Sequence, residues 1–139
     1  MIHFRTILYF LGLLLLALGV IMLVPGLVDA LDNNGEWEAF IGASAIACFI
    51  GVSLLLVTRG NTETLSVRES FVLTSASWFI TAIFAALPFY FATIGLSYTD
   101  AFFEAMSGIT TTGSTVIVDL NQVSAGILLW RALLQWLGG

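Results

Sequence analysis

A run of hydroxyl and glycine residues, SGITTTGST, occupies positions 107–115 of a strongly apolar chain. Hydroxyl side chains and two glycines fill every position of the run except that of Ile109, and none of its residues is charged. Backbone carbonyls in such a run can replace the hydration shell of a cation, and threonine hydroxyls add further neutral oxygens. The pattern therefore indicates a candidate site for a hard alkali cation, one that needs no histidine, cysteine or carboxylate ligand.

The composition excludes several classes of protein. Only 9% of the 139 residues are charged and 59% are hydrophobic, with a mean hydropathy of +1.03, whereas a soluble domain is typically about 25% charged. The basic residues are four arginines, which cannot form a basic stripe for nucleic acid. The single Cys48 excludes an intrachain disulfide, and no arrangement of His3 or Cys48 predicts an enzyme. We therefore expect an integral membrane protein that is not an enzyme and binds no nucleic acid.

Membrane lipid is the expected surrounding of three uncharged runs. A helix needs roughly 20 apolar residues to cross the hydrocarbon core, and the backbone of such a run must satisfy its own hydrogen bonds. Ser66 and Glu69 form an S-x-x-E capping box before the third run, and Pro88 is expected to kink or end that helix. The predicted transmembrane helices are residues 6–28, 39–57 and 70–96.

A cleaved signal peptide is the other interpretation of the first run. Its apolar stretch is longer than the roughly 7–15 residues in the apolar region of a typical signal peptide.

The distribution of charge predicts the orientation of the helices. Arg5, Arg59 and Arg68 flank one side of the predicted helices, whereas the link between the first two helices carries four acidic residues and no basic residue. The positive-inside rule places the amino terminus in the cytoplasm and this acidic link outside. The acidic residues of the link are Asp29, Asp32, Glu36 and Glu38.

The stretch before the hydroxyl run is predicted to be a short helix. Ser97 and Thr99 are candidate N-caps, and Gly108 is the predicted stop signal. Residues 100–109 give a helix of about ten residues, roughly 15 Å long at 1.5 Å per residue, which crosses only half of a membrane. We therefore expect this helix to enter from outside and an extended segment to return. An ordinary exterior loop at residues 110–115 is the alternative interpretation.

Glu104 and Arg131 are the ionisable residues that we expect at membrane depth. Intramembrane charges are rare and are usually paired with one another. We predict a structural ion pair that braces the short helix against the last apolar segment. In the alternative arrangement, Arg131 extends outward and Glu104 contacts a loop.

The motifs LSVRESFVLTSASWF, YTDAFFEAMSGITTTGSTVI and WRALLQWLGG resemble the TrkH/TrkG-type membrane subunits of bacterial Trk/Ktr potassium uptake systems. The resemblance implies an all-α integral membrane fold with transmembrane helices, a re-entrant pore helix and an extended filter loop. Members of this family have four joined repeats around one pore, and this chain resembles an amino-terminal fragment of one. Its expected division is a helix pair at 1–62 and a first repeat at 63–139, truncated in the inner helix.

The resemblance also implies a function and a site. Potassium ions would pass a selectivity filter lined mainly by the backbone carbonyls of Thr110, Thr111, Thr112 and Gly113. In related plant transporters a serine at the glycine position is associated with sodium preference, so Gly113 favours potassium over the sodium-permeable alternative. A non-transporting small membrane protein or truncated remnant is the other alternative. The resemblance further implies the bacterial cytoplasmic (inner) membrane, a homodimer and a cytoplasmic nucleotide-binding regulatory subunit.

Overall fold

The computed structural model of the chain describes residues 3–60 and 64–139, and every regular element in those ranges is helical. This confirms the predicted all-α class. In chain order the elements are α1 (Phe4–Leu31), α2 (Trp37–Val57), α3 (Val67–Ala85), the single turn α4 (Leu87–Phe91), α5 (Tyr98–Ile109), a 3₁₀ turn (Leu120–Gln122) and α6 (Ala125–Gly138).

Three of the described helical segments are long and apolar enough to cross a membrane. They are Phe4–Leu31, Trp37–Val57 and Val67–Phe91, the last of which combines α3 and α4. The break between α3 and α4 confirms the effect expected of Pro88, because a proline cannot donate the backbone hydrogen bond that would continue α3. The third segment ends at Phe91, earlier than the predicted residue 96.

Two N-terminal caps predicted from the sequence are present. The Ser66 side chain accepts a hydrogen bond from the backbone of Glu69 at 3.3 Å, and the Glu69 carboxylate accepts one from the backbone of Ser66 at 2.8 Å. Ser97 caps α5 by accepting from the backbone N–H of Asp100 at 3.2 Å. These bonds satisfy backbone donors that a helix start leaves without partners.

The helices have a basic end and an acidic end. At the basic end, the Arg5 guanidinium donates to the carbonyl of Thr58 at 3.2 Å and to that of Arg59. At the acidic end, the Glu36 carboxylate accepts hydrogen bonds from the backbone and hydroxyl of Thr93. The charges that predicted the orientation are thus separated along the bundle, and the direction of the bundle across the membrane stays a prediction.

The short helix α5 starts at the acidic end and stops near the middle of the bundle. Its first residue, Tyr98, donates from its hydroxyl to the carbonyl of Ile83 in the last turn of α3. Its last residue, Ile109, lines the same cavity as Leu18, which lies near the middle of α1. The chain then returns to the acidic end, where Ser124 contacts Asp29 at 2.8 Å. The segment from α5 to the start of α6 therefore enters the bundle and comes back to the same end, so it is re-entrant.

One hydrophobic core joins the leading helix pair to the later helices. Trp130 of α6 is fully buried, packs edge-on against Phe40 of α2 and donates from its indole N–H to the carbonyl of Ala85 at 3.0 Å. The expected division into residues 1–62 and 63–139 has its boundary inside 61–63, outside the described residues.

The small residues of α2 give a matched test of how closely this helix is packed. Ala47 is fully buried, whereas Ala45 is exposed on the same helix. We expect Ala47→Val to lower the free energy of unfolding by about 1–3 kcal/mol, because added methyl groups overpack a filled interface. Ala45→Val should change it by less than about 0.5 kcal/mol. The measurement is thermal unfolding of the purified protein in detergent, and equal melting temperatures for the two variants would contradict the packing.

Candidate functional site

The end of α5 is a Schellman motif, in which a left-handed residue after the helix reverses the chain. Thr111 is that residue, with φ of 59°. Its N–H donates to the carbonyl of Gly108, and the N–H of Thr112 donates to the carbonyl of Ser107, both at 3.0 Å. The left-handed conformation costs roughly 1–2 kcal/mol for a residue with a Cβ atom, and it is rare for β-branched residues. The motif therefore holds strain where the return begins.

Gly108 lies inside α5, so the prediction that it stops the helix is wrong. A Cβ atom at this position would lie 2.9 Å from Cβ of Leu134 in α6. The glycine is therefore required by the close contact of two helices, and the chain reverses three residues later. This reversal depends on hydrogen bonds of Thr111 and Thr112 rather than on a glycine.

The return segment, residues 110–119, turns its first backbone N–H groups toward α5. After Thr111 and Thr112, the N–H of Gly113 also reaches the carbonyl of Ser107, at 3.4 Å. A trans peptide unit holds its N–H and C=O on opposite sides. Because these three N–H groups point to α5, the carbonyls of the preceding residues point away from it. They are the carbonyls of Thr110, Thr111 and Thr112.

These carbonyl oxygens have no donor among residues 3–60 and 64–139, and neither does that of Gly113. All four residues are exposed. Gly113 adopts φ of 79°, the left-handed conformation that glycine reaches at low cost. The next carbonyl, that of Ser114, turns back and accepts a hydrogen bond from the hydroxyl of Ser107 at 2.7 Å. Residues 110–113 are thus a continuous run of unshared backbone oxygens.

Glu104 ties the far side of the return segment to α5. Its Oε1 atom accepts hydrogen bonds from the backbone of Val116 at 2.6 Å and from the hydroxyl of Thr115 at 2.5 Å. Its Oε2 atom lies 3.0 Å from Nε of Arg131 in α6, and the Glu104 side chain is only 1% exposed. The buried carboxylate therefore joins three elements: α5, the return segment and α6. Glu104 thus contacts Arg131 and the return segment at the same time, and Arg131 does not extend away from it as in the alternative arrangement.

Asp29 lies elsewhere than the sequence predicts. It was assigned to an acidic exterior link, but α1 continues to Leu31, and Asp29 is a fully buried residue in its last turn. Its carboxylate accepts hydrogen bonds from the backbone of Gly126 and the hydroxyl of Ser124, at the start of α6. One signal was available: an acid in the last turn of a helix is disfavoured by the helix dipole and calls for a donor from elsewhere.

The architecture defines a class of protein: a multi-pass α-helical membrane protein whose re-entrant segment presents a run of backbone oxygens. Comparison with known sequences gives the family. The chain belongs to the TrkH family, described as cation transport protein, which matches residues 37–139. The family is one of transporters rather than enzymes, and its match confirms the resemblance identified from the motifs.

Individual relatives match nearly the whole chain. The Trk system potassium uptake protein TrkH of Escherichia coli (strain K12) is 39% identical over 138 residues, which are 99% of this chain and 29% of that protein. TrkI of Halomonas elongata, also a Trk system potassium uptake protein, is 39% identical over 137 residues, covering 99% of this chain and 28% of that protein. The chain thus spans less than a third of the length of these curated relatives.

A solved structure agrees with the fold. The crystal structure of the potassium transporter TrkH from Vibrio parahaemolyticus superimposes with a TM-score of 0.93 at 37% sequence identity. The match covers 99% of this chain and 30% of that one. The described helices and the re-entrant connection therefore have the arrangement of a known cation transporter over the matched region.

The Glu104–Arg131 contact can be tested by its effect on the free energy of unfolding. Arg131→Ala leaves a buried carboxylate without its cation, and breaking a buried pair from one side typically costs about 3–5 kcal/mol in soluble proteins. We expect Glu104→Ala to cost more, because Thr115 and Val116 also lose their acceptor. The exchanged variant, Glu104→Arg with Arg131→Glu, should recover only part of the loss, since an arginine at position 104 accepts no hydrogen bond.

These variants are compared by thermal unfolding of the purified protein in detergent. Arg68→Ala is the control, because Arg68 is exposed and its removal should change the free energy of unfolding by less than about 0.5 kcal/mol. A melting temperature for Arg131→Ala equal to that of the parent protein would count against the ion pair.

The strain at the left-handed Thr111 can also be tested by its effect on the free energy of unfolding. Thr111→Gly should raise the free energy of unfolding by about 1 kcal/mol, because relief of the left-handed strain exceeds the added entropy of the unfolded chain. Asn33→Gly is the matched control, because Asn33 is also left-handed, with φ of 54°, and asparagine tolerates this conformation. A destabilised Thr111→Gly protein with an unchanged Asn33→Gly protein would mean that contacts of the threonine side chain outweigh the strain.

Proposed function

We propose that the chain contributes one part of a selectivity filter through which potassium ions cross the bacterial cytoplasmic (inner) membrane. In this proposal the filter ligands are mainly the backbone carbonyls of Thr110, Thr111, Thr112 and Gly113. The chain acts together with further repeats of a longer transporter, since one return segment contacts an ion from one side only. The full-length protein below means this chain with those repeats.

The observation that carries the proposal is the direction of the backbone in the return segment. Its N–H groups are used by α5, and its carbonyls at residues 110–112 point away, exposed and without donors in the part of the chain that the structure describes. Irregular backbone at membrane depth is tolerated where it is buried in protein or lines a watery path. An ion that exchanges its hydration shell for these oxygens would satisfy them.

The ion expected at this site is potassium. The oxygens are neutral, which suits a weakly coordinated alkali ion better than a transition metal, whose usual ligands are histidine and cysteine. The carboxyl end of α5 carries the partial negative charge of the helix dipole and lies close to these oxygens, which favours a cation at the same depth. Relatives named as potassium uptake proteins, with sequences similar over 99% of this chain, support the same ion.

The remaining parts of the proposal concern topology and partners. The amino terminus and the basic end face the cytoplasm, because positively charged residues are retained there. The acidic end, where α5 and α6 begin, then faces outside and receives the incoming ion. A homodimer and a cytoplasmic nucleotide-binding regulatory subunit follow from the family resemblance, and both belong to the full-length protein. The helix pair at 1–62 and the repeat at 63–139 act as its first two segments.

Gly113→Ser in the full-length protein tests the filter. A serine at φ of 79° is strained by roughly 1–2 kcal/mol, which is enough to change an equilibrium about tenfold. We expect stronger inhibition of rubidium uptake by sodium, with the fold retained. Gly95→Ser is a matched control: Gly95 has φ of 74°, and neither glycine has a neighbour within 4 Å of an added Cβ atom. Gly95 lies between α4 and α5, outside the return segment.

The result is interpretable only with the amount of membrane protein and its detergent-extracted size measured alongside. A shift in sodium competition for Gly113→Ser but not for Gly95→Ser supports a filter position, because the two variants share the backbone strain. Unchanged competition in a well-expressed Gly113→Ser protein would refute the assignment, and residues 110–115 would then be an ordinary loop.

A further inference from the structure

Asp29 is a buried carboxylate that the proposed filter does not use directly. It is fully buried, and three groups donate hydrogen bonds to it. Its Oδ1 atom lies 2.7 Å from the backbone N of Gly126 and 3.2 Å from Nδ2 of Asn34, and its Oδ2 atom lies 2.8 Å from Oγ of Ser124. Two of these donors belong to the first turn of α6, which is about a hundred residues away along the chain.

The electrostatics of the two helices explain what holds a carboxylate here. Asp29 lies in the last turn of α1, where the partial negative charge of its own helix opposes an acid. It also lies at the start of α6, whose N-terminal partial positive charge favours an anion. Hydrogen bonds to an ionised acceptor are roughly twice as strong as neutral ones. The carboxylate is therefore stabilised by α6 and would be disfavoured in α1 alone.

The steric fit around this contact is tight. A Cβ atom on Gly126 would lie 2.2 Å from Oδ2 of Asp29 and 2.6 Å from the carbonyl of Pro25. Only glycine allows the backbone of α6 to approach α1 this closely. Ser124 takes part twice: its hydroxyl donates to Asp29 and accepts from the backbone N–H of Ile127 at 3.2 Å. The start of α6 thus has one defined position against α1.

The position of α6 affects the return segment through Glu104. Arg131 of α6 contacts Glu104, and the same carboxylate holds Thr115 and Val116 just after the run of unshared oxygens. A shift of α6 therefore moves the group that fixes one end of the return segment.

We propose that Asp29 is a positioning residue for the cation site. It fixes the start of α6 and, through Arg131 and Glu104, the spacing of the oxygens of residues 110–113. The leading helix pair would then set ion affinity as well as anchor the chain. This inference rests on the function proposed above.

The test is rubidium uptake by the full-length protein carrying Asp29→Asn, with Asp32→Asn as the control. Asp32 is exposed and lies three residues further along the chain, just beyond the end of α1. Loss of a group bonded directly to the ligands of a metal site typically weakens affinity by 10–100-fold, and because Asp29 acts through Arg131 and Glu104 we expect the KM for rubidium to rise by about tenfold at most. We also expect stronger competition by sodium, while the maximal rate and the amount of protein in the membrane change little. Asp32→Asn should leave all of these values unchanged.

A purely structural role would lower the amount of protein and the maximal rate together, without changing KM or sodium competition, and this result would overturn the inference. Ser124→Ala removes one of the three donors to Asp29 together with the N-cap of α6, and it carries the test if Asp29→Asn does not fold. It should shift KM in the same direction by a smaller factor, and an unchanged KM would overturn the inference.

Gly113→Ser in the same assay separates the two proposals. If Gly113→Ser changes sodium competition and neither Asp29→Asn nor Ser124→Ala does, the filter stands and the role of Asp29 is refuted. If Gly113→Ser has no effect either, the proposed filter fails and the inference fails with it.

Discussion

Backbone hydrogen bonding constrains the irregular return segment, because in the hydrocarbon region of a membrane no water is present to satisfy an exposed N–H or C=O group. The return segment meets the constraint for its donors by bonding to the last turn of α5. Each peptide unit whose N–H points to α5 necessarily points its carbonyl the other way. The same geometry that makes the segment stable next to α5 thus creates the run of unshared oxygens at residues 110–112.

The return segment contains a strained residue and is held by contacts at both of its ends. Thr111 is left-handed without being a glycine, and such residues persist only where surrounding contacts determine their conformation. Those contacts lie at both ends of the strained stretch. Ser107 forms hydrogen bonds with the start of the return segment and with Ser114, and Glu104 accepts one from Thr115. A backbone fixed in this way presents oxygens at set positions. In the proposed filter, such oxygens would replace the hydration shell of the ion.

The first two helices are coupled to this arrangement rather than separate from it. Phe40 packs against Trp130, and Asp29 caps α6, so both α1 and α2 contact the helix that carries Arg131. Glu104 then connects α6 to the return segment. One buried carboxylate lies at each of these two contacts: Asp29 between α1 and α6, and Glu104 between α6 and the return segment. Each accepts hydrogen bonds from several donors. Burial of a charge is costly without such partners, so these contacts fix the relative position of the helices more strictly than apolar packing does.

Local features were determined by the sequence itself. The three apolar helices, the Ser66 and Ser97 caps and the break at Pro88 depend on residues close together in the chain, so their physics is visible in a short window. The end of α5 at Ile109 was predicted as well, but its cause was not, because Gly108 serves a contact with Leu134 and Thr111 turns the chain instead. Asp29 was assigned to an exterior link because its partners, Ser124 and Gly126, are distant in the chain and follow from the packing of α6 on α1. The carbonyls of residues 110–112 take their direction from bonds that span only three to six residues, but these bonds depend on the left-handed Thr111, which the composition does not reveal.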